Sequence, residues 1–288
     1  MSAAELILTG YAPEHSVPVR HLLQHFDRLH LHLDWQDAER WLQDAAVIAC
    51  LGWREQRLEA LMAISPPQRG ASWLRLVALG GGLSVGPAVR RLWAWLLPRM
   101  RERGVQRVNV LLMSAWLGRA LASLDFVHVD DVVTLCYTGG PRRVLPAPQL
   151  DDLVMRPVQT DADLAAVLAV DHAAFEPVWW LSEQDLRAAW PEAASFTLAT
   201  VEGSAVGYEL SVPHGDGVHL ARLATIPQMQ GQGVGSKLLQ RMLRYFQQQG
   251  IYTVTVNTQG GNVVSQHLYR RFGFQNTGFD LPIWEARL

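Results

Sequence analysis

The segment Ile226-Pro227-Gln228-Met229-Gln230-Gly231-Gln232-Gly233-Val234-Gly235-Ser236-Lys237-Leu238-Leu239 holds the residue types best suited to gripping a charged ligand. A strand-like run enters it and a helix-like run leaves it. Its three glycines stand at alternate positions, so the backbone turns tightly and no β-carbon keeps a ligand away. The first N–H groups of the following helix lack partners within the helix, and the helix dipole favours negative charge there. Together these make a cradle suited to a pyrophosphate. Spacing excludes two nucleotide loops. The pattern G-x-x-x-x-G-K-[ST] fails because Lys237 comes two residues after Gly235 and Leu238 follows it. The pattern G-x-G-x-x-G fails because Ser236 stands where the third glycine belongs. A pyrophosphate cradle of another kind remains, or a glycine turn with a purely structural role. The histidines offer less. His21 and His25 lie four apart on a helix with His30 and His32 nearby, yet no third ligand set follows, so no metal centre is expected.

The elements around the loop are legible from periodicity. Leu153 to Val158 reads as a strand, and Asp161 to Phe175 as a helix with Leu164, Val167, Leu168 and Phe175 on one face. Ser182 caps a short helix to Trp190, with Asp185 adding favourable charge in its first turn. Strands are predicted at 195–201, 205–212, 218–226 and 251–257, with helices at 233–249 and 262–272. A last strand covers about 277–284. The order β-α-α-β-β-β-α-β-α-β, with hairpins and one crossover, implies an α+β fold built on a mixed sheet.

The same order recurs in the first half. A helix stops at Gly104 and the strand Val105 to Val110 follows; 146 residues later a helix stops at Gly250 and Ile251 to Val256 follows. Leu124-Asp125-Phe126 echoes Phe272-Gly273-Phe274, and Trp73 to Leu79 echoes His219 to Thr225. A tandem duplication accounts for this, two unrelated halves being the alternative. The clustered Gly and Pro residues between 139 and 150 read as the linker, giving domains 1–143 and 151–288. With 288 residues, 49% hydrophobic and 18% charged, the chain can bury two cores. A net charge of −2 gives no pull toward nucleic acid or an anionic membrane. The two cysteines, Cys50 and Cys136, build no disulfide framework. The first residues lack a signal-peptide pattern, and no apolar run approaches the ~20 residues of a membrane span, so a cytoplasmic protein is expected.

Gln230-Gly231-Gln232-Gly233-Val234-Gly235 resembles the Q/R-G-x-G-x-G/A loop of the GNAT superfamily of acetyl-CoA-dependent N-acetyltransferases. The preceding Leu223-Ala224-Thr225-Ile226-Pro227 is similar to that family's fourth strand and its proline exit. Asn262, Ser265 and Tyr269, followed by Phe272-Gly273-Phe274, match N-x-x-A-x-x-x-Y…GF with Ser265 in place of alanine. The resemblance covers Leu223 to Phe274 by motif and the rest of the second half by element order. It implies two tandem GNAT-like domains with acetyl-CoA as acyl donor. The fourth and fifth strands would splay around the pantetheine arm, held near Leu223, Ala224 and Thr225. Gln230, Gly231, Gln232, Gly233, Val234, Gly235 and Ser236 would hold the pyrophosphate, with Asn262 on the cofactor side.

Tyr269 would then protonate the departing thiolate, or else be a packed helix tyrosine. The family often places a glutamate early on its fourth strand, a position occupied here by Gly217. The base is left among His219, Glu209, Asp216 and water; an imidazole suits proton removal near neutral pH. Phe175, Trp179 and Trp180 fall where the family builds its acceptor wall, though core packing is equally open to them. In the first half the loop position reads Leu83 to Val89 with Pro87, which lacks an N–H, and Leu121 or Ala122 replaces the tyrosine. That half reads as a degenerate copy, although Gly80-Gly81-Gly82 offers another possible anion nest. The implied function is acetyl transfer to a primary amine on a small molecule or peptide, the alternative being a CoA-binding regulatory module without turnover.

Overall fold

The computed structural model describes residues 6–140, 150 and 152–288; of the expected linker, residues 141–149 lie outside the described residues. The chain forms two compact units, Met1–Asp130 with Leu281–Leu288, and Asp131–Asp280. Among the described residues no helix is long and apolar enough to cross a membrane.

In chain order the elements are β1 (Ile7–Gly10), α1 (Ser16–Gln24), β2 (Arg28–Leu31), α2 (Ala38–Leu42), β3 (Ile48–Arg54), β4 (Arg57–Ile64), β5 (Ala71–Leu79), α3 (Val85–Glu102), β6 (Arg107–Leu111), α4 (Ala115–Leu121) and β7 (Val127–Thr138). They continue with β8 (Leu153–Pro157), α5 (Asp161–Ala174), α6 (Glu183–Glu192), β9 (Ser195–Val201), β10 (Ser204–His214), β11 (Gly217–Thr225), α7 (Val234–Gln248), β12 (Thr253–Gln259), α8 (Val263–Phe272) and β13 (Gln275–Arg287).

In the first unit β1, β3, β4, β5 and β6 pair in that order, and Ile283–Arg287 of β13 completes the sheet beside β6. β5 and β6 run parallel, joined by the crossover helix α3. Val89, Leu92, Leu96 and Met100 of α3 fall on one stripe and bury against Met62, Ile64, Leu74 and Val77. Val19, Leu22, Trp41 and Leu42, from α1 and α2, cover Leu51, Leu61, Leu76 and Ala78 on the other face.

In the second unit the order is β7-β12-β11-β10-β9-β8, with β11 and β12 the parallel pair. Thr160 and Ser182 cap α5 and α6, each in a reciprocal pair with an aspartate three residues on, Asp163 and Asp185. The expected Ser182 cap is thus present. Leu238, Leu239, Met242, Leu243 and Phe246 of α7 bury against the sheet. The repeat is visible in how α3 and α7 end. Gly104 and Gly250 take φ of +74° and +77°, and the N–H groups of Val105 and Ile251 return to Met100 and Phe246 at 3.0 and 2.9 Å.

The compact units differ from the expected division into 1–143 and 151–288. Val132 to Thr138, from the first half of the sequence, pair with β12 in the second unit. Ile283 to Arg287, from the second half, pair with β6 in the first. A glycine-proline cluster marks a turn in the chain and carries no information about which sheet the flanking strands join.

Candidate active site

Two irregularities in the second sheet create an opening. β11 pairs with β12 at only three positions, Val218↔Val254, His219↔Thr255 and Leu220↔Val256. Beyond Leu220, β11 runs on to Thr225 without a partner on that edge, while β12 stays with β7 as far as Gln259. The strands part, as expected. The register between β10 and β11 also slips, Leu210 facing Arg222 and Ser211 facing Leu220, so Ala221 is an extra residue. The bulge reverses the alternation of side chains. Leu220 and Leu223 both join the core beneath α7, while Arg222 and Ala224 turn to the face covered by α5.

β11 leads into the glycine loop at the mouth of this opening. Gly233 is the N-cap of α7 at φ +94°, and Gly231 has φ +75° with nothing within 4 Å of where a β-carbon would lie. No side chain caps α7, so its first N–H groups point outward. One expectation needs correcting at its edge. Gln230 N–H donates to the Pro227 carbonyl at 3.3 Å, closing a short 3-10 turn, so the free donors begin at Gly231. The Gln230 side chain instead donates to Thr225 O at 3.1 Å and braces the exit of β11. The Asn262 side chain accepts from Ser265 N–H at 3.1 Å as the N-cap of α8, a helix-starting role. A β-carbon on Gly235 would lie 3.5 Å from Leu268 and 3.7 Å from Thr225 Oγ1, so β11, α7 and α8 converge here.

The candidate proton-handling groups separate by face. Tyr269, next to Leu268, is buried beneath α7 with its ring 5.5 Å from that of Phe274, and burial pushes its phenol well above the usual range. His219 lies between Val218 and Leu220, which face α7, so it turns to the α5 side, where its Nδ1 is 2.9 Å from Thr255 Oγ1. Glu209 lies on the opposite face. It is fully buried, with hydroxyl donors from Ser195 at 2.9 Å and from Ser211, and burial raises its carboxyl to about 7. Asp216 is exposed in the β10–β11 turn. Gly217 cannot carry the family's glutamate, because any β-carbon there would collide with the Thr253 carbonyl oxygen.

The sign of the Glu209 shift yields a test. A raised carboxyl pKa means that folding favours the protonated form, a contribution lost as pH rises from the ordinary value of about 4.5 through about 7. Glu209→Gln is therefore expected to raise Tm relative to the parent at pH 8 and to change it less at pH 5. Equal effects at both pH values in thermal melts would count against a buried, mostly neutral Glu209 at acid pH.

A network that sequence patterning missed shapes the α5 side. Asp171, fully buried on α5, accepts from Tyr208 Oη at 2.5 Å and Leu181 N–H at 2.9 Å, with Arg222 Nη1 3.9 Å away. Arg222 also donates to Trp179 O at 2.8 Å and lies over the Phe175 ring at 4.8 Å. Trp180 donates to Phe175 O at 2.9 Å and stacks on His172 at 4.3 Å. The half-buried trio Phe175, Trp179 and Trp180 thus forms a braced wall on the same sheet face as His219. An arginine in mid-strand and an aspartate on a helix's apolar face were the available signals. Among the described residues no three metal-ligating side chains gather; the His21 and His25 rings stack on each other at 4.4 Å.

A mixed sheet splayed at its one parallel pair, feeding a glycine cradle at a helix N-terminus, is the architecture of acyl-CoA N-acyltransferases. Residues 164–274, all within the second unit, match the Acetyltransferase (GNAT) family. Mycothiol acetyltransferase of Rhodococcus erythropolis is 30% identical over 191 residues, covering 59% of this chain and 64% of that protein. The corresponding protein of Streptomyces coelicolor is 32% identical over 151 residues, 48% of each chain. These matches span less than two thirds of the relatives' own length. A GCN5-related N-acetyltransferase structure from Sphaerobacter thermophilus aligns with a TM-score of 0.58 at 16% identity, covering 98% of this chain and 95% of that one. A tandem GNAT protein from the clavulanic acid biosynthesis pathway aligns at 0.62 and 13% identity over 98% of both chains. At such identities these two report the fold alone.

Proposed function

We propose that the second unit transfers an acetyl group from acetyl-CoA to a primary amine by direct attack within a ternary complex. The observation that carries this is the unpaired edge of β11 beyond Leu220, running into the open donors from Gly231 to Ser236. An extended pantetheine arm fits the first and a pyrophosphate the second. Bound acetyl-CoA supplies an activated thioester; the rest falls to the chain. Backbone groups between Ala221 and Thr225 hold the arm and fix the carbonyl, and the α5-side wall orients the amine. Positioning of this kind accounts for much of the rate in such reactions. The Tyr269 phenol, ordinarily near 10 and raised further by burial, is protonated at neutral pH, as a proton donor must be. His219 shares the wall's face and is the residue best placed to take the amine's proton; Glu209 is sealed on the other face.

The first unit serves as a degenerate copy in this reading. The relatives' name puts mycothiol chemistry first among acceptors to try, followed by other small amines and peptide N-termini. Release of free thiol from acetyl-CoA with an amine panel tests the reading, and binding without turnover on any amine would favour a regulatory module. His219→Gln should flatten the acid limb of the pH–rate profile while leaving acetyl-CoA affinity intact. An unchanged limb would return proton removal to water.

A further inference from the structure

We infer that in the first unit strand β2 occupies the groove that the pantetheine arm takes in the second, so that this unit binds a segment of its own chain in place of acyl-CoA. The inference rests on reading the second unit's opening as the pantetheine groove. The two sheets part at equivalent places. β5 and β6 pair at Ala71↔Arg107, Ser72↔Val108 and Trp73↔Asn109, and adding 147 to each number gives the three pairs of β11 with β12. Past Trp73, β5 loses β6 just as β11 loses β12 past Leu220.

The freed edge of β5 is not open. β4 pairs with β5 from Ile64↔Leu74 to Ala60↔Leu79 and uses one edge throughout. β2 pairs antiparallel with the same residues, from Leu31↔Leu76 to Arg28↔Leu79. A strand has two edges, so β2 lies on the one that β6 has left. The N–H groups of His32 and Asp27 bracket it, donating to Arg75 O and Leu79 O at 2.8 Å each. Leu76 and Ala78, now paired with Leu31 and Leu29, are the counterparts of Leu223 and Thr225. His30 is 1% exposed, with Nε2 3.4 Å from Leu74 O, and burial holds it near 4.

A shared arginine shows where the inserted strand comes from. Arg75 Nη1 donates to His32 O at 3.1 Å, as Arg222, 147 residues on, donates to Trp179 O. Each carbonyl belongs to the link between the first two helices of its unit. In the second unit that link forms the aromatic wall and contains no strand; in the first it supplies β2. The phosphate end is lost as well. Pro87 lies in the first turn of α3 and removes a donor. The Glu59 carboxylate, ion-paired with Arg57 at 3.4 Å, has an oxygen 2.7 Å from where a Gly80 β-carbon would be, so an acceptor rather than a donor sits beside Gly80.

Titration of the full chain with acetyl-CoA, followed by calorimetry, should show one equivalent, lost entirely in Gly233→Val. A second equivalent, or one retained in that variant, overturns the inference. Hydrogen exchange on the cofactor-free chain gives an independent reading. The Asp27 and His32 amides should be protected like those joining β4 to β5, and acetyl-CoA should leave that protection unchanged. Fast exchange at both, or release on adding acetyl-CoA, overturns it. If no acetyl-CoA binds at all, the reading of the second unit fails and the exchange rates alone decide whether β2 fills its groove.

Discussion

Gly233→Val should abolish acetyl-CoA binding. Gly233 is the N-cap of α7 at φ +94°, a backbone conformation that a β-branched residue enters only with strain. Relief of that strain turns the peptide planes from Gly231 to Ser236 and with them the N–H groups that would hold the phosphates. Charge-assisted hydrogen bonds contribute roughly 1.5–3 kcal/mol each. Losing two weakens binding by more than about a hundredfold, since every ~1.4 kcal/mol is tenfold. Gly233→Asn is the control, because asparagine tolerates left-handed backbone, and it should retain much of the affinity. Calorimetry on folded variants, checked by thermal melts, makes the comparison. Unchanged affinity in a folded Gly233→Val would remove the glycine loop from the site.

Tyr269→Phe should lower kcat by ~10²-fold or more while acetyl-CoA affinity changes little, the range usual for loss of a positioned acid. The substitution keeps the ring that packs beside Phe274 and deletes only the hydroxyl, so stability should hold. Steady-state rates with calorimetric affinities separate the outcomes. A fully active variant would make Tyr269 a packing residue of the core beneath α7.

The glycine spacing could be read directly because its chemistry is local: alternate glycines before a helix have a small set of uses. Most element bounds in the second half followed from periodicity for the same reason. Non-local features were hidden. The extra residue Ala221 reverses the faces of β11, and nothing in the composition of that strand announces it. His219 and Glu209 lie on opposite faces of the sheet, a difference hidden in the sequence, so Glu209, Asp216 and water stayed open as alternatives to His219. β2 is four residues, Arg-Leu-His-Leu, too short for alternation to stand out, and its neighbouring histidines drew attention to metal binding instead. Asp171 and Arg222 belong to elements far apart in the chain and gain meaning only when α5 covers β11.

The pairing of β6 with β13 joins residues such as Leu111 and Ile283, with the whole of the second unit's sequence between them. Contacts of such separation raise contact order and slow folding, because a long loop must close before the pairing is rewarded. During synthesis the first unit would leave the ribosome with one edge of β6, the edge that β13 takes, unpaired, and such an edge is a template for association with other chains. Cutting the gene at the linker would fix that state permanently. A fragment of residues 1–143 lacks β13 beside β6, and one of 151–288 lacks β7 beside β12. Assigning activity to one unit is therefore better done by point substitution in the whole chain than by expressing halves.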